Sequence, residues 1–204
     1  MKHNGFEYVD LCLPSGTKWA TCNVGANSET DYGLYFAWGE TVGYSGITDT
    51  KQFGWRDYKF SKCGSNKFIK YNGTDRKKVL DLKDDAAHIH MGGKWHMPTD
   101  EQIRELIKNT ENIWVTDYNN SGSNGRLFTS KINDEKLFFP ACGLRFAEGY
   151  YGLNKSGHFW SSSVDNHCSD CGRDLWFGTV SISTGKENRT LGLCVRGVFN
   201  TFWI

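Results

Sequence analysis

Short apolar runs broken by turn residues set the pattern along most of the chain. Residues 6–24, FEYVDLCLPSGTKWATCNV, read as two strand-like runs on either side of the turn signal Pro14-Ser15-Gly16, and LYFAW at 34–38 supplies a third. Between 39 and 78 the periodicity fades into Gly, Ser, Asn, Lys and scattered aromatics. That stretch is expected to be a long irregular excursion over the surface, stabilised by Trp55, Tyr58, Phe60, Phe68 and Tyr71. Helical spacing emerges after Met97-Pro98. Thr99 is placed as N-cap, Gln102 completes a capping box, and Ile103, Leu106 and Ile107 fall at helical spacing, which predicts a helix over 100–109. Ile113 to Thr116, Leu127 to Ser130 and Lys136 to Phe139, the last two joined by Ile132-Asn133-Asp134-Glu135, have hairpin syntax.

The last third runs from a glycine-rich loop at 143–157 into His158-Phe159-Trp160, then a polar run from Asp165 to Asp174, then Leu175-Trp176-Phe177, Val180-Ser181-Ile182 and Cys194 to Val198. Trp160 and Phe177 are assigned to the core. Many short strands with one or two helices predict the α+β class. A chain of 204 residues with 38% hydrophobic content fits a single domain spanning 1–204 with an irregular insertion around 41–85.

Charge narrows the function classes. Lys plus Arg (24) nearly cancel Asp plus Glu (23), so no long-range field draws the chain to nucleic acid or an anionic membrane. No apolar run is long enough to span a bilayer, and MKHNGFEYVDLCLPSG does not read as a signal peptide. The cysteines are seven and irregularly spaced, which argues for mostly reduced thiols.

The run DNHCSDCGRD at 165–174 invites a metal reading. His167, Cys168 and Cys171, with Asp165 and Asp170 nearby, make half of a structural zinc site, but no second hook supplies the remaining ligand. His88 and His90 read as two exposed histidines flanking a buried Ile89. Neither a calcium site nor a thioredoxin-like hook matches the spacing, so no cofactor and no metal are expected. Cys194, in Leu-Cys-Val-Arg, reads as inert core cysteine, and Ser161 to Ser163 lack a nucleophile elbow and read as satisfying backbone groups beside Trp160. A non-enzymatic protein is the expectation.

Three groups of segments carry a family resemblance: VDLCLPSGTKWATCNVGA (9–26) with YFAWGE (35–40); GGKWHMPTDEQIRELI (92–107); and FTSKINDEKLFFPACGLR (128–145) with GHFWSSS (157–163) and LGLCVRGV (191–198). Together they resemble the FISUMP family, the Fibrobacter succinogenes major paralogous domain, departing from it at Cys12, His96 and Cys142. The C-terminal syntax also resembles the variable proteins of diversity-generating retroelements. The resemblance implies a C-type lectin-like fold of the formylglycine-generating-enzyme branch, with paired N- and C-terminal strands and a variable ligand-binding region around 144–192. On that face the expected ligand-binding residues are Arg145, Tyr150, Tyr151, Asn154 and His158 from the first loop. Asp165, Asn166, His167, Ser169, Asp170, Arg173 and Asp174 come from the polar run, and Trp176, Ser181, Asn188 and Arg189 follow it. Asp165 to Asp174 uses only residue types that adenine mutagenesis of asparagine codons can reach, whereas Lys155, Trp176, Lys186 and Glu187 lie outside that alphabet. The implied partner is a protein or glycan ligand met from a phage particle or bacterial cell surface. The competing reading is an ordinary FISUMP domain with a structural or polysaccharide-adhesion role.

Overall fold

In the computed structural model, which describes residues 1–45, 51–147 and 149–200, the apolar runs become short strands that close into several small sheets. β1 (Lys2–His3), β2 (Phe6–Val9) and β3 (Thr17–Asn23) form consecutive antiparallel partners, with Gly16 at positive φ in the turn that Pro14 opens. β4 (Tyr35–Phe36) follows. After the 39–78 segment come two α-helices, α1 (Ala86–Met91) and α2 (Asp100–Asn109). β5 (Thr110–Val115), β6 (Gly125–Ser130) and β7 (Lys136–Pro140) make an antiparallel meander, and β8 (Leu144–Phe146) pairs with β9 (Gly149–Tyr151). The C-terminal third holds β10 (Gly157–Val164), β11 (Cys171–Phe177), β12 (Ile182–Asn188), β13 (Leu193–Cys194) and β14 (Arg196–Asn200). Their sheet has the order β12-β11-β10-β13-β4, while β14 turns away to pair with β3. This pairing of an N-terminal with a C-terminal strand is as expected.

α2 carries the capping box its sequence predicts. The Gln102 amide donates to Thr99 Oγ1 at 3.3 Å, and the Thr99 amide donates to Gln102 Oε1 at 2.9 Å. Ile103 and Leu106 are buried on its inner face. α1 is capped by Asp85, whose carboxylate accepts the His88 amide at 2.8 Å. Its inner face is Ala86, Ala87 and Met91, which turns Ile89 outward to 53% exposure and corrects the expectation that Ile89 is buried between two exposed histidines.

The architecture departs from the α+β lectin-like class. Strands take up 39% of the chain and helices 13%, in a β-rich fold with a curled sheet. The physical reason is that the helical periodicity is confined to α2 and a short turn of chain before it. Every other apolar run is too short for a helix and finds its partner across a ladder. The 39–78 segment is irregular, as expected, yet it is more than a surface excursion. It drives Phe53, Tyr58, Phe60 and Tyr71 into the same buried cluster that contains Trp38 and Trp160, with Trp55 and Phe68 packed against it. Asp84 anchors the segment, accepting from Lys59 at 2.7 Å, from the Tyr71 hydroxyl at 2.7 Å, and from Lys70.

Where the N-terminal, hairpin and C-terminal parts meet sits Arg196, 0% exposed. Its guanidinium donates to Asn23 Oδ1 at 2.7 Å, to the carbonyls of Ala20 at 3.0 Å and Thr21 at 2.6 Å, and to that of Phe138 at 3.1 Å, while lying 4.4 Å over the Phe139 ring. Burial lowers its pKa to about 10, which leaves it charged at neutral pH. Arg196→Met should cost about 3–5 kcal/mol, because the acceptors of β3 and β7 lose their donors in a dry interior, and Arg196→Lys should rescue little since an ammonium cannot span them. Urea unfolding of the two variants beside the parent checks this.

Candidate functional site

The polar run that follows β10 is placed by an irregularity in that strand. Trp160 pairs with Asp174 and Val164 with Gly172, so extra residues bulge out of the ladder between them. The bulge carries three serines whose groups close local backbone needs. The Ser163 amide donates to Ser161 Oγ at 3.1 Å, Ser162 Oγ donates to the Pro98 carbonyl at 3.3 Å, and Ser163 Oγ accepts the Asp100 amide at 3.0 Å. The bulged edge also picks up residues 78–80: the Leu80 amide donates to the Ser162 carbonyl and the Val164 amide to the Lys78 carbonyl, at 2.9 and 2.8 Å. The end of the 39–78 segment and the start of α2 are thereby brought against residues 163–167.

Two open clefts result, and residues 164–167 with Lys78 form a wall of both. One, of about 430 Å³, has Asp100, Glu101 and Arg104 of α2 on its other side and Arg173 at its base. The second, of about 520 Å³, is bounded by Tyr71, Asn72, Gly73, Arg76 and Lys77, with Ser169 and Arg189. The loop 71–77 is held by Asp75, whose carboxylate accepts the amides of Tyr71 at 2.6 Å, Asn72 at 3.0 Å and Lys77 at 3.1 Å. Arg189 is a fixed post. Its guanidinium lies 4.8 Å over Trp38 and 4.5 Å over Phe68 and donates to the Tyr71 carbonyl at 3.0 Å.

Arg173 ties the first cleft together. It donates to Asp100 Oδ1 at 3.1 Å, to Asp165 Oδ2 at 3.2 Å and to Thr184 Oγ1 at 3.0 Å, joining α2, the 165–170 loop and β12. Lys186 lies 4.0 Å from the other Asp165 oxygen. Burial would raise the pKa of Asp165, yet the His167 amide and the Arg173 guanidinium outweigh it and hold the carboxyl below its ordinary range.

Of the residues expected on an exposed face, Asn166, His167 and Ser169 are exposed on the shared wall or beside it, and Asp170 and Arg173 are partly exposed. Asp165 is buried but lines both clefts. Tyr151 stands free at 73% exposure. Tyr150 borders a different cleft with Tyr32 and Tyr35, and Ser181 is exposed at the β11–β12 turn. Trp176 is half-buried. Asn154 and Asn188 serve the backbone: Asn154 Oδ1 accepts the Asn124 amide at 2.7 Å, and Asn188 Oδ1 accepts the Thr190 amide at 3.0 Å.

The remainder correct the expectation. Arg145, Arg189, His158 and Asp174 are buried, because residues 171–174 continue β11 and are not loop, and because aromatic rings claim both arginines. Cys168 and Cys171 are joined to each other as a disulfide, so the hook offers no thiolate pair to zinc, and the expectation of reduced thiols holds only for Cys12, Cys22, Cys63, Cys142 and Cys194. Sequence reasoning missed Asn72, Arg76, Lys78, Asp100 and Arg104. The basic cluster Arg76-Lys77-Lys78 was the available signal.

A separate cluster lies within the β10–β12 sheet. His158 Nδ1 is 3.3 Å from Asp174 Oδ2 and 3.8 Å from Glu187 Oε1. Burial raises the pKa of both carboxyls.

Arg173→Ala should cost about 2 kcal/mol and speed amide exchange across 165–170, as Asp165 and Asp100 lose a shared cation. Urea titration and hydrogen exchange measure the two effects. A carboxyl held below its ordinary 3.8 stabilises the fold above that value and ceases to do so as pH falls through the lowered one. The parent should therefore lose stability relative to Asp165→Asn as pH drops below the ordinary aspartate value, and the difference between the two melting curves isolates that increment.

Compared with protein-family models, curated proteins and solved structures, the chain matches none.

Proposed function

We propose that this chain is a non-enzymatic ligand-recognition protein that meets a protein or glycan through the paired clefts flanking residues 164–167. The observation that carries the reading is the division of labour within that region. Asn166 and His167 expose polar side chains on a wall common to two clefts and Ser169 on the second alone, while Asp165, Arg173 and the β10 bulge fix the wall's base. Recognition by shape and hydrogen bonds on a rigid frame needs that arrangement. The second cleft carries Arg76, Lys77 and Lys78 on one rim. Lys77 is paired with Asp81 at 2.6 Å, but the rim as a whole is cationic, so a ligand bearing a carboxylate, sulfate or acidic side chain is the class it would favour.

The motifs similar to retroelement variable proteins support a further part of the reading, that the exposed wall is a diversified position set. Asn166, His167 and Ser169 all belong to the alphabet that adenine mutagenesis reaches. A reverse transcriptase gene beside the coding sequence, with a near-repeat of its 3′ segment differing at adenines, tests that part; a locus without either leaves a fixed adhesion domain. Display on a phage particle or bacterial cell surface is the setting that such a ligand class implies. No helix among the described residues is long and apolar enough to cross a membrane.

The binding claim is tested on glycan and protein arrays at low and moderate salt. Replacing Arg76, Lys78, Asn166 and His167, all exposed, together by alanine should reduce binding to any array hit at least tenfold while leaving Tm within about 2 °C, since exposed positions away from caps and cores change stability little. Binding that survives the fourfold variant would place the ligand elsewhere. Binding to an acidic ligand should also weaken as salt rises.

A further inference from the structure

His158, Asp174 and Glu187 are not used by either cleft, and the sheet register brings them together. Trp160 stands opposite Asp174, and Gly172 opposite Glu187, on continuous antiparallel ladders. Side chains alternate faces along a strand, so His158 of β10, Asp174 of β11 and Glu187 of β12 project from one face. Arg173, whose guanidinium reaches α2, projects from the other.

One donor atom from each residue lies within 4.8 Å of the other two. Donors arranged tetrahedrally around a cation at about 2.1 Å would be about 3.4 Å apart. The His158 to Asp174 separation of 3.3 Å already meets that spacing, and the His158 to Glu187 separation of 3.8 Å needs only a small inward movement.

An ion triad is the competing explanation, with a protonated imidazole between two carboxylates. It accounts for Asp174 Oδ2 and Glu187 Oε1, but it leaves Asp174 Oδ1 without a partner in a side chain only 1% exposed. A buried carboxylate oxygen with nothing to accept is costly. Gly185 stands directly opposite Asp174, and a Cβ there would lie 2.6 Å from that same oxygen. Gly185 thus makes room for that oxygen, the one buried side-chain acceptor without a partner among the described residues, and a cation taken by both oxygens of Asp174 would supply the partner that the ion triad does not.

We propose that His158, Asp174 and Glu187 form a binding site for a divalent first-row cation of the zinc class, with one imidazole nitrogen and two carboxylates as protein ligands. The donor set decides the class. Calcium needs six to eight oxygens, and copper(I) favours sulfur, whereas one nitrogen with two carboxylates suits Zn²⁺, Co²⁺, Mn²⁺ or Fe²⁺. Glu187 is the outer ligand, its side chain 30% exposed, so the remaining coordination position opens on its side toward water. The cation would cross-link the three strands that also support the 165–170 loop.

The test uses the whole chain, treated with chelator, dialysed, and titrated with Co²⁺ and then Zn²⁺ by calorimetry, with absorption spectra of the cobalt form. One equivalent is expected to bind, the cobalt spectrum should lack thiolate charge transfer, and Tm should rise by roughly 5 °C or more at hundredfold excess over Kd. Asp174→Asn, which keeps the side-chain volume, and Glu187→Gln, at the more exposed position, should each weaken uptake at least tenfold. Melting both without metal establishes that they fold. The double variant Cys168→Ser with Cys171→Ser should bind as the parent does. Absence of saturable uptake, uptake unchanged in both carboxylate variants, or uptake abolished by the cysteine substitutions overturns the site. Because array binding is scored separately from metal uptake, either result stands without the other.

Discussion

The Arg196 guanidinium, buried where β14, β3 and β7 converge, is the contact on which the remaining architecture rests. Four acceptors from two strands, three on β3 and one on β7, point at one cation, and the Phe139 ring closes its face. Small sheets of short strands have little ladder of their own, and a hydrophobic interior alone does not fix how they are oriented to one another. A planar donor with fixed geometry supplies that orientation. The strand carrying Arg196 is continuous with Cys194 of β13, which pairs with β10, so the anchor is one step from the sheet that presents the loop.

Two other arginines repeat the device beside the clefts. Arg189 is held between Trp38 and Phe68 and bonded to the loop at Tyr71, while Arg173 joins α2, the 165–170 loop and β12. Each fixes one side of a cleft without lending its own charge freely to solvent. The consequence is a separation within a few residues of sequence: Asp165 and Asp174 are structural, Asn166, His167 and Ser169 are exposed, and the disulfide between Cys168 and Cys171 closes the loop between them. If the His158, Asp174 and Glu187 site takes its cation, the same sheet gains a further brace from its other face.

Much of the local structure was legible because its signals are local. The capping box at Thr99 and Gln102, the turn at Pro14-Ser15-Gly16, the 127–139 hairpin and the burial of Trp160, Phe177 and Cys194 each follow from a few neighbouring side chains. The fold class was not legible, since short apolar runs do not say how their ladders will assemble, and a single clear helix gave helices more weight than they have. The site was half legible. The polar run pointed to Asn166, His167 and Ser169, which are exposed, but polarity alone cannot tell a loop from a strand whose polar groups face inward, as with Asp174 opposite Gly185. Asn72, Arg76, Lys78 and Asp100 joined the site through a β-bulge and isolated bridges, which bring together segments far apart in sequence. No periodicity records such contacts.

The central claim is that stability and recognition are carried by different residues of one short run. Two libraries displayed on a particle and selected for protease resistance measure that directly, one randomising Asn166, His167 and Ser169, the other Asp165, Arg173 and Asp174. The account predicts that most members of the first remain resistant and that the second is depleted to sequences close to the parent. Equal depletion of both libraries, or tolerance in the second alone, would contradict it.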